Sequence, residues 1–280
     1  MVPPGEVQKV RRFQTKLDTL PLFVRPGASG PPAAPEGRKS SILCRFPAAL
    51  TVNRPVPIRQ PQELERMKTM KKAVIFDLDG TLWDATGQVY QIWNRVFERH
   101  PEASVRLTRG DLGRCMGKTM EEIGAMLFPH LAPPIQAAIM DECGKEEVPY
   151  LRKHGAVLYD GVRETVALLK EEYGLYIVSN CQDGYVNSFL TAHGFTEDFR
   201  DIEMSGRTGK SKGENIRLLM ERNRVTRAVY VGDTRGDEQA ARAAGIPFLH
   251  AAYGFGTADR PDGTLSGIRE LPGALRAIRF

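Results

Sequence analysis

The sequence predicts an α/β fold built on a doubly wound parallel sheet. Three observations carry that prediction. The run Ala73-Val74-Ile75-Phe76 is apolar without a break and ends in an acid, as a strand buried on both faces does. Comparable runs recur at 175–178 and 228–231. From Asp160 onward such runs alternate with helical periodicity, and that alternation generates parallel strands joined by crossover helices.

Residues 1–66 hold 11 of the 19 prolines and no sustained period. They also carry 11 Lys/Arg against 5 Asp/Glu, so the formal charge of +5 arises in this leader and the remainder is nearly neutral. Such composition buries too little apolar surface to offset chain entropy and predicts disorder. An alternative expectation is that the native start is Met67 or Met70 and that the leader is not part of the native protein. The neutral main body predicts no nucleic-acid partner, and no apolar run is long enough to span a membrane.

The strand at 73–76 runs into Asp77-Leu78-Asp79-Gly80-Thr81. Residues two apart in extended chain share a face, so the two carboxylates project together and repel unless a cation or proton relieves them. For the pair alone, a solvated acidic turn is the competing reading. Residues 84–159 then read as a helical insertion without a strand. Val89, Ile92, Trp93, Val96 and Phe97 form one helical stripe, 119–127 form a second helix, and 135–153 a longer one with candidate breaks at Gly144 and Pro149.

The α/β pattern resumes with a helix through Val162, Val166, Leu169 and Tyr173, ended by Gly174. A strand follows at 175–180, then a helix at 184–193 and a short strand at 199–204. Ser211-x-x-Glu214 is a capping box that opens another helix. A strand at 228–233 precedes a helix at 237–244. A last strand at 246–250 contains Pro247, which implies an edge position or an early residue. A helix at 268–278 closes the chain.

Ligands in open parallel sheets bind beyond the carboxyl ends of the strands. Asp77, Asp79, Ser179, Asn180 and Asp233 fall at such ends, with Lys212 at a helix start and Asp237 four residues past Asp233. Lys210 competes with Lys212, but Lys212 directly follows the Ser211 cap. Cys44, Cys115, Cys143 and Cys181 have no metal-ligand spacing and read as free thiols of a reducing, cytoplasmic compartment. Gly209-Lys210-Ser211 lacks the first glycine of a phosphate loop, since Met204 stands there. Gly254-Phe255-Gly256 lacks the third glycine of a dinucleotide fingerprint, since Asp259 stands there.

Taken in order, Asp77-Leu78-Asp79-Gly80-Thr81, Ser179-Asn180, Lys212 and Gly232-Asp233-Thr234-Arg235-Gly236-Asp237 resemble the four motifs of the haloacid dehalogenase superfamily. The resemblance covers about 72–280. It implies a Rossmann-like catalytic core of 67–83 and 160–280, with 84–159 as an inserted α-helical cap of the type found in phosphoglycolate phosphatase-like members. It implies a phosphatase acting on a small phosphorylated metabolite, with a phosphomutase or a phosphate-binding module as alternatives; Asp79 speaks against a dehalogenase.

By the same resemblance Asp77 is the nucleophile and Asp79 the general acid–base. Thr81, Ser179, Lys212, Gly80 and Asn180 contact the phosphoryl group. Asp77, Asp233 and Asp79, the last through its backbone carbonyl, ligate Mg²⁺. Asp237 holds Lys212 or a metal-bound water. The loop 113–119 is the expected cap loop, with Arg114 and Lys118 as candidate contacts to an anionic substrate.

Overall fold

The structure, a computed structural model, describes residues 71–278. The expected leader, Cys44, and the candidate starts at Met67 and Met70 lie outside the described residues.

Strand β1 (Lys71–Phe76) is the centre of a six-stranded sheet that also contains β4 (Gly174–Ser179), β5 (Asp201–Met204), β6 (Val225–Gly232), β7 (Phe248–Ala251) and β8 (Gly263–Leu265). The strand order is β5-β4-β1-β6-β7-β8. Every adjacent pair is parallel. Strand alternation divides the core into two layers. Val74, Phe76, Leu175, Ile177, Val229 and Val231 face one side. Ala73, Ile75, Tyr176, Val178, Ala228 and Tyr230 face the other.

Helices α5 (Val162–Leu169), α6 (Tyr185–His193) and α10 (Leu271–Ala277) contribute buried side chains to the first layer. Helices α8 (Lys212–Arg222) and α9 (Arg235–Ala244) cover the second with Ile216, Leu219, Ala240 and Ala241. A short helix, α7 (Ser205–Thr208), links β5 to α8.

Between β1 and the rest of the sheet lies the helical insertion: α1 (Thr86–Phe97), α2 (Arg109–Gly113), α3 (Met120–Leu127) and α4 (Pro133–His154). The predicted stripe of α1 is buried throughout. Thr119 caps α3 in a reciprocal box with Glu122. The insertion joins the sheet through a two-stranded antiparallel stem, β2 (Trp83–Asp84) on β3 (Val157–Leu158).

The structure corrects the sequence reading in six places. Residues 84–159 do contain strand, but two-residue strands leave no readable alternation. Helix α4 runs unbroken through Gly144 and Pro149. Helix α5 ends at Leu169, and Gly174 opens β4 instead of closing the helix. Pro247 sits just before β7, which is an interior strand, so the edge reading fails and the early-residue reading holds. The strand at 246–250 is not the last, because β8 pairs beyond it. The expected terminal helix divides into a 3₁₀ turn (Ile268–Glu270) and α10.

Candidate active site

The acid pair sits where β1 ends beside β6. The Asp77 amide still donates to Val231 O at 2.8 Å, so the nucleophile candidate is fixed by the sheet itself. The chain then folds back: Leu78 O accepts from the amides of Thr81, Leu82 and Trp83. Gly80 takes φ +82°, and a Cβ there would fall 2.2 Å from Asp233 Oδ2. Its glycine therefore serves close approach of the second acid as well as the turn.

Four side chains interlock below this turn. Lys212 Nζ donates to Asp77 Oδ1 at 2.9 Å and to Asp237 Oδ1 at 2.6 Å. Asp237 Oδ2 accepts from the Thr234 amide and hydroxyl at 2.9 and 2.7 Å, which closes the capping box of α9. Gly232 makes room for it, since a Cβ there would lie 2.6 Å from Asp237 Cγ. Lys212, Asp77 and Asp237 are buried and Thr234 is half-buried. Burial opposes the Lys212 charge, but Asp237 and Asp77 outweigh it and hold its pKa well above the ordinary value.

Asp233 lies in the same cluster. Its Oδ2 accepts from the Phe255 amide at 2.7 Å. Its Oδ1 is buried with no hydrogen-bond partner among the described residues. Burial, followed by the charges of Asp237 and Asp77, pushes its pKa well up. Carboxylate oxygens of Asp77, Asp233 and Asp237 lie within 4.8 Å of one another. Three buried carboxylates and an orphaned oxygen suit a hard, oxygen-preferring cation.

Asp79 lies apart from that cluster. Its Oδ1 accepts from the Tyr185 hydroxyl at 3.0 Å. The ligand role expected of it is through its backbone carbonyl, and its carboxylate is not among the three grouped ones. Burial first, and the Asp77 charge second, push Asp79 up to about 7. Asp77, mainly through burial, rises to about 6.

The remaining expected residues are distributed as follows. The Thr81 hydroxyl is buried without a hydrogen-bond partner among the described residues. Ser179 ends β4, buried, in the same cavity as Asp77 and Asp79. Asn180 lines that cavity, but its amide is engaged: it donates to Gly117 O at 2.9 Å and accepts from Ser205 Oγ at 2.9 Å. Lys210, the competing candidate, is exposed.

Lys118 lines the cavity. Arg114 does not: its side chain is 75% exposed and bonded to Asp111 one turn back, so the expected substrate contact is corrected. Burial pushes the Cys181 thiol well up, which leaves it a poor nucleophile.

Sequence reasoning missed Tyr185, Phe255 and Glu147. Glu147 is 1% exposed and faces the cavity from α4, where it accepts from Trp93 Nε1 and Gln182 Nε2. Its signal was present, because Ile139, Cys143, Glu147 and Leu151 step by four along one buried face. The Gly254-Phe255-Gly256 stretch is no dinucleotide loop. A Cβ on Gly254 would lie 2.4 Å from Asp233 Cβ and from Gly80 O, so its glycines let a backbone amide reach the acid.

The cavity at the acid pair is small, about 40 Å³. A larger cleft of about 820 Å³ is lined mainly by α3 and α4, but none of the clustered acids lines it, so the chemistry belongs to the smaller space.

An acid pair, a lysine and a further acid at the carboxyl edge of a parallel sheet suit phosphoryl transfer. Residues 74–251 match the haloacid dehalogenase-like hydrolase family, and the chain belongs to it. Within that family it groups with phosphatases. It is 28% identical over 193 residues to a phosphoglycolate phosphatase of Xanthomonas campestris, covering 67% of this chain and 86% of that one. A haloacid dehalogenase-like hydrolase structure from Bacteroides fragilis superposes with a TM-score of 0.64 at 25% identity, covering 72% of this chain and 99% of that one. A predicted phosphoglycolate phosphatase from Haemophilus somnus shares the fold, with a TM-score of 0.64 at 20% identity over 73% and 98% of the two chains.

Proposed function

We propose that this protein is a Mg²⁺-dependent phosphomonoesterase acting on a small phosphorylated metabolite, of phosphoglycolate or sugar-phosphate type, through an aspartyl-phosphate. One observation carries the reading: two acids two residues apart occupy different environments. Asp77 is pinned by Lys212 beside the orphaned Asp233 oxygen, while Asp79 stands apart on Tyr185.

Asp77 attacks phosphorus as the ester P–O bond breaks. Asp79 gives its proton to the departing oxygen, and a group pushed up to about 7 has one to give near neutrality. Asp79 then accepts a proton from water as that water attacks the phosphorylated Asp77 and frees phosphate. Asp77, Asp233 and the Asp79 backbone carbonyl would hold Mg²⁺, which when bound offsets the negative charge of the phosphoryl oxygens. Thr81 and Ser179 donate to those oxygens, and Lys212 adds positive charge. Asp237, engaged by Lys212 and Thr234, keeps the lysine in place. Residues 84–159 act as the cap that chooses the leaving group, with Lys118 at the cavity.

The test is a screen of phosphoglycolate, sugar phosphates and nucleotides with Mg²⁺ and with chelator, combined with acid quench and mass measurement. Metal-dependent phosphate release with about 80 Da transiently added to the Asp77 peptide, one phosphoryl group, is the expected result. An isomerised sugar phosphate without free phosphate would make the protein a mutase. Labelling without release would make it a binding module.

A further inference from the structure

We propose that Tyr185 is a positioning residue for Asp79, reserving one carboxyl oxygen for the leaving group. This rests on the phosphatase reading above.

Tyr185 is the first residue of α6, and its hydroxyl donates to Asp79 Oδ1 at 3.0 Å with both side chains buried. The ring is not free to wander. It meets Trp83 edge-on, with centroids 5.6 Å apart. Phe189 and His193, one and two turns further along α6, meet the same indole at 5.2 and 5.8 Å. Trp83 is itself tied to the acid turn, because its carbonyl accepts from the Gly80 amide at 3.0 Å. The loop that presents Asp79 and the helix that presents Tyr185 therefore share one aromatic anchor.

The hydroxyl has a chemical consequence. A phenol that donates to Oδ1 uses a lone pair there, so the carboxyl proton of Asp79 resides on Oδ2. In the first step that Oδ2–H bond breaks and its proton goes to the ester oxygen, which takes the electron pair of the broken P–O bond. In the second step Oδ2 takes a proton from the attacking water. The phenolic proton stays on Tyr185 throughout. Without the phenol the carboxyl group rotates and the proton is shared between two oxygens. Acid help at the leaving group then falls while substrate binding, which Tyr185 does not supply, persists.

The experiment uses Tyr185→Phe in the full chain with Mg²⁺, which keeps the ring on Trp83 and removes one oxygen. Two esters are compared, glycerol phosphate with a poor leaving group and p-nitrophenyl phosphate with a good one. The kcat for the alkyl ester should fall about 3-fold to 10-fold, the worth of one hydrogen bond between uncharged groups, with KM unchanged. The pre-steady-state burst of nitrophenol should be nearly intact. An alkyl-ester kcat within twofold of native overturns the proposal. So does an equal loss on both esters accompanied by a lower thermal midpoint, which marks a packing role.

Should Tyr185→Phe not fold, 3-fluorotyrosine at 185 keeps the shape and alters only the donor. A changed alkyl-ester kcat at constant KM supports the assignment, and an unchanged one overturns it. If native protein hydrolyses neither ester, the phosphatase reading fails and takes this one with it. If it hydrolyses both and the variant matches it, only this one fails.

Discussion

The sheet edge and the cap face each other across one cavity, and they are built differently. On the sheet side the acids are held by donors, with Asp233 Oδ1 and the Thr81 hydroxyl left unpartnered among the described residues. Lys212 holds Asp77 and Asp237, Thr234 closes on Asp237, and the Phe255 amide holds Asp233. On the cap side Lys118 is exposed, and the insertion meets the core through contacts such as Asn180 to Gly117, Gln182 to Glu147 and Ser188 to Val148. A reacting centre loses rate when its groups shift by an ångström, whereas a selecting surface tolerates adjustment. The difference fits the proposed division, with chemistry on the sheet and choice on the cap.

The contrast breaks most visibly at the acid pair. Asp77→Asn should reduce turnover to background and give no phosphoenzyme. Asp79→Asn should lose about 10²–10⁴-fold on alkyl esters. With an aryl phosphate it should still show a burst of aryl alcohol and accumulate phosphorylated Asp77, because its nucleophile is intact and its base is missing. Covalent labelling of the Asp77→Asn protein at the active site would remove the nucleophile assignment.

Gly254→Ala sharpens the claim that the sheet side is rigid. The added methyl meets Asp233 and the Gly80 carbonyl, and neither can yield without moving an acid. A stability loss of about 1–3 kcal/mol is expected from overpacking, together with reduced kcat. Denaturant melts alongside steady-state assays measure both, and native-like values for each would show that the loop adapts.

The cap is approached through pH. Burial pushes Glu147 up to about 8 from an ordinary 4.5. Between those values the folded form keeps a proton that the unfolded chain releases, so stability falls as pH rises across that window and levels above it. Glu147→Gln should remove one proton from the linkage and flatten the slope by about 1.4 kcal/mol per pH unit. Chemical denaturation at pH 5, 6, 7 and 8 compares the two slopes, and equal slopes would mean that Glu147 ionises normally.

The smallest effects separate two neighbours on one loop. Lys118→Ala should raise KM several-fold at constant kcat, whereas Arg114→Ala, bonded to Asp111 and pointing away, should change neither. A larger effect at Arg114 would require the loop to reorganise around substrate.

Sequence alone located the sheet-side acids because strand ends are easy to read. An apolar run that stops at Asp77, and another that stops short of Asp233, places both carboxylates at one edge before any coordinates exist. Ser211 and Glu214 marked the start of α8, and so the place of Lys212. What was hidden depends on direction or on brevity. Arg114 and Lys118 have the same charge and the same loop, and only the Asp111 pairing turns one of them outward. The strands β2, β3 and β8 are two or three residues long, too short for alternation. Glu147 sat in a helix whose proline suggested a break, so its stride of four with Cys143 and Leu151 went unread.

The partners of the acid pair have an implication for synthesis of the chain. Lys212 reaches Asp77 across 135 residues, and the Tyr253 hydroxyl reaches Thr81 O across 172. Contacts so distant close late, after the entropy of long loops has been overcome. Asp233 receives its donor from Phe255. On the proposed mechanism, a nascent chain carries Asp77 early, but Asp233 lacks its Phe255 donor until 254–256 have emerged, so hydrolysis waits for that stretch.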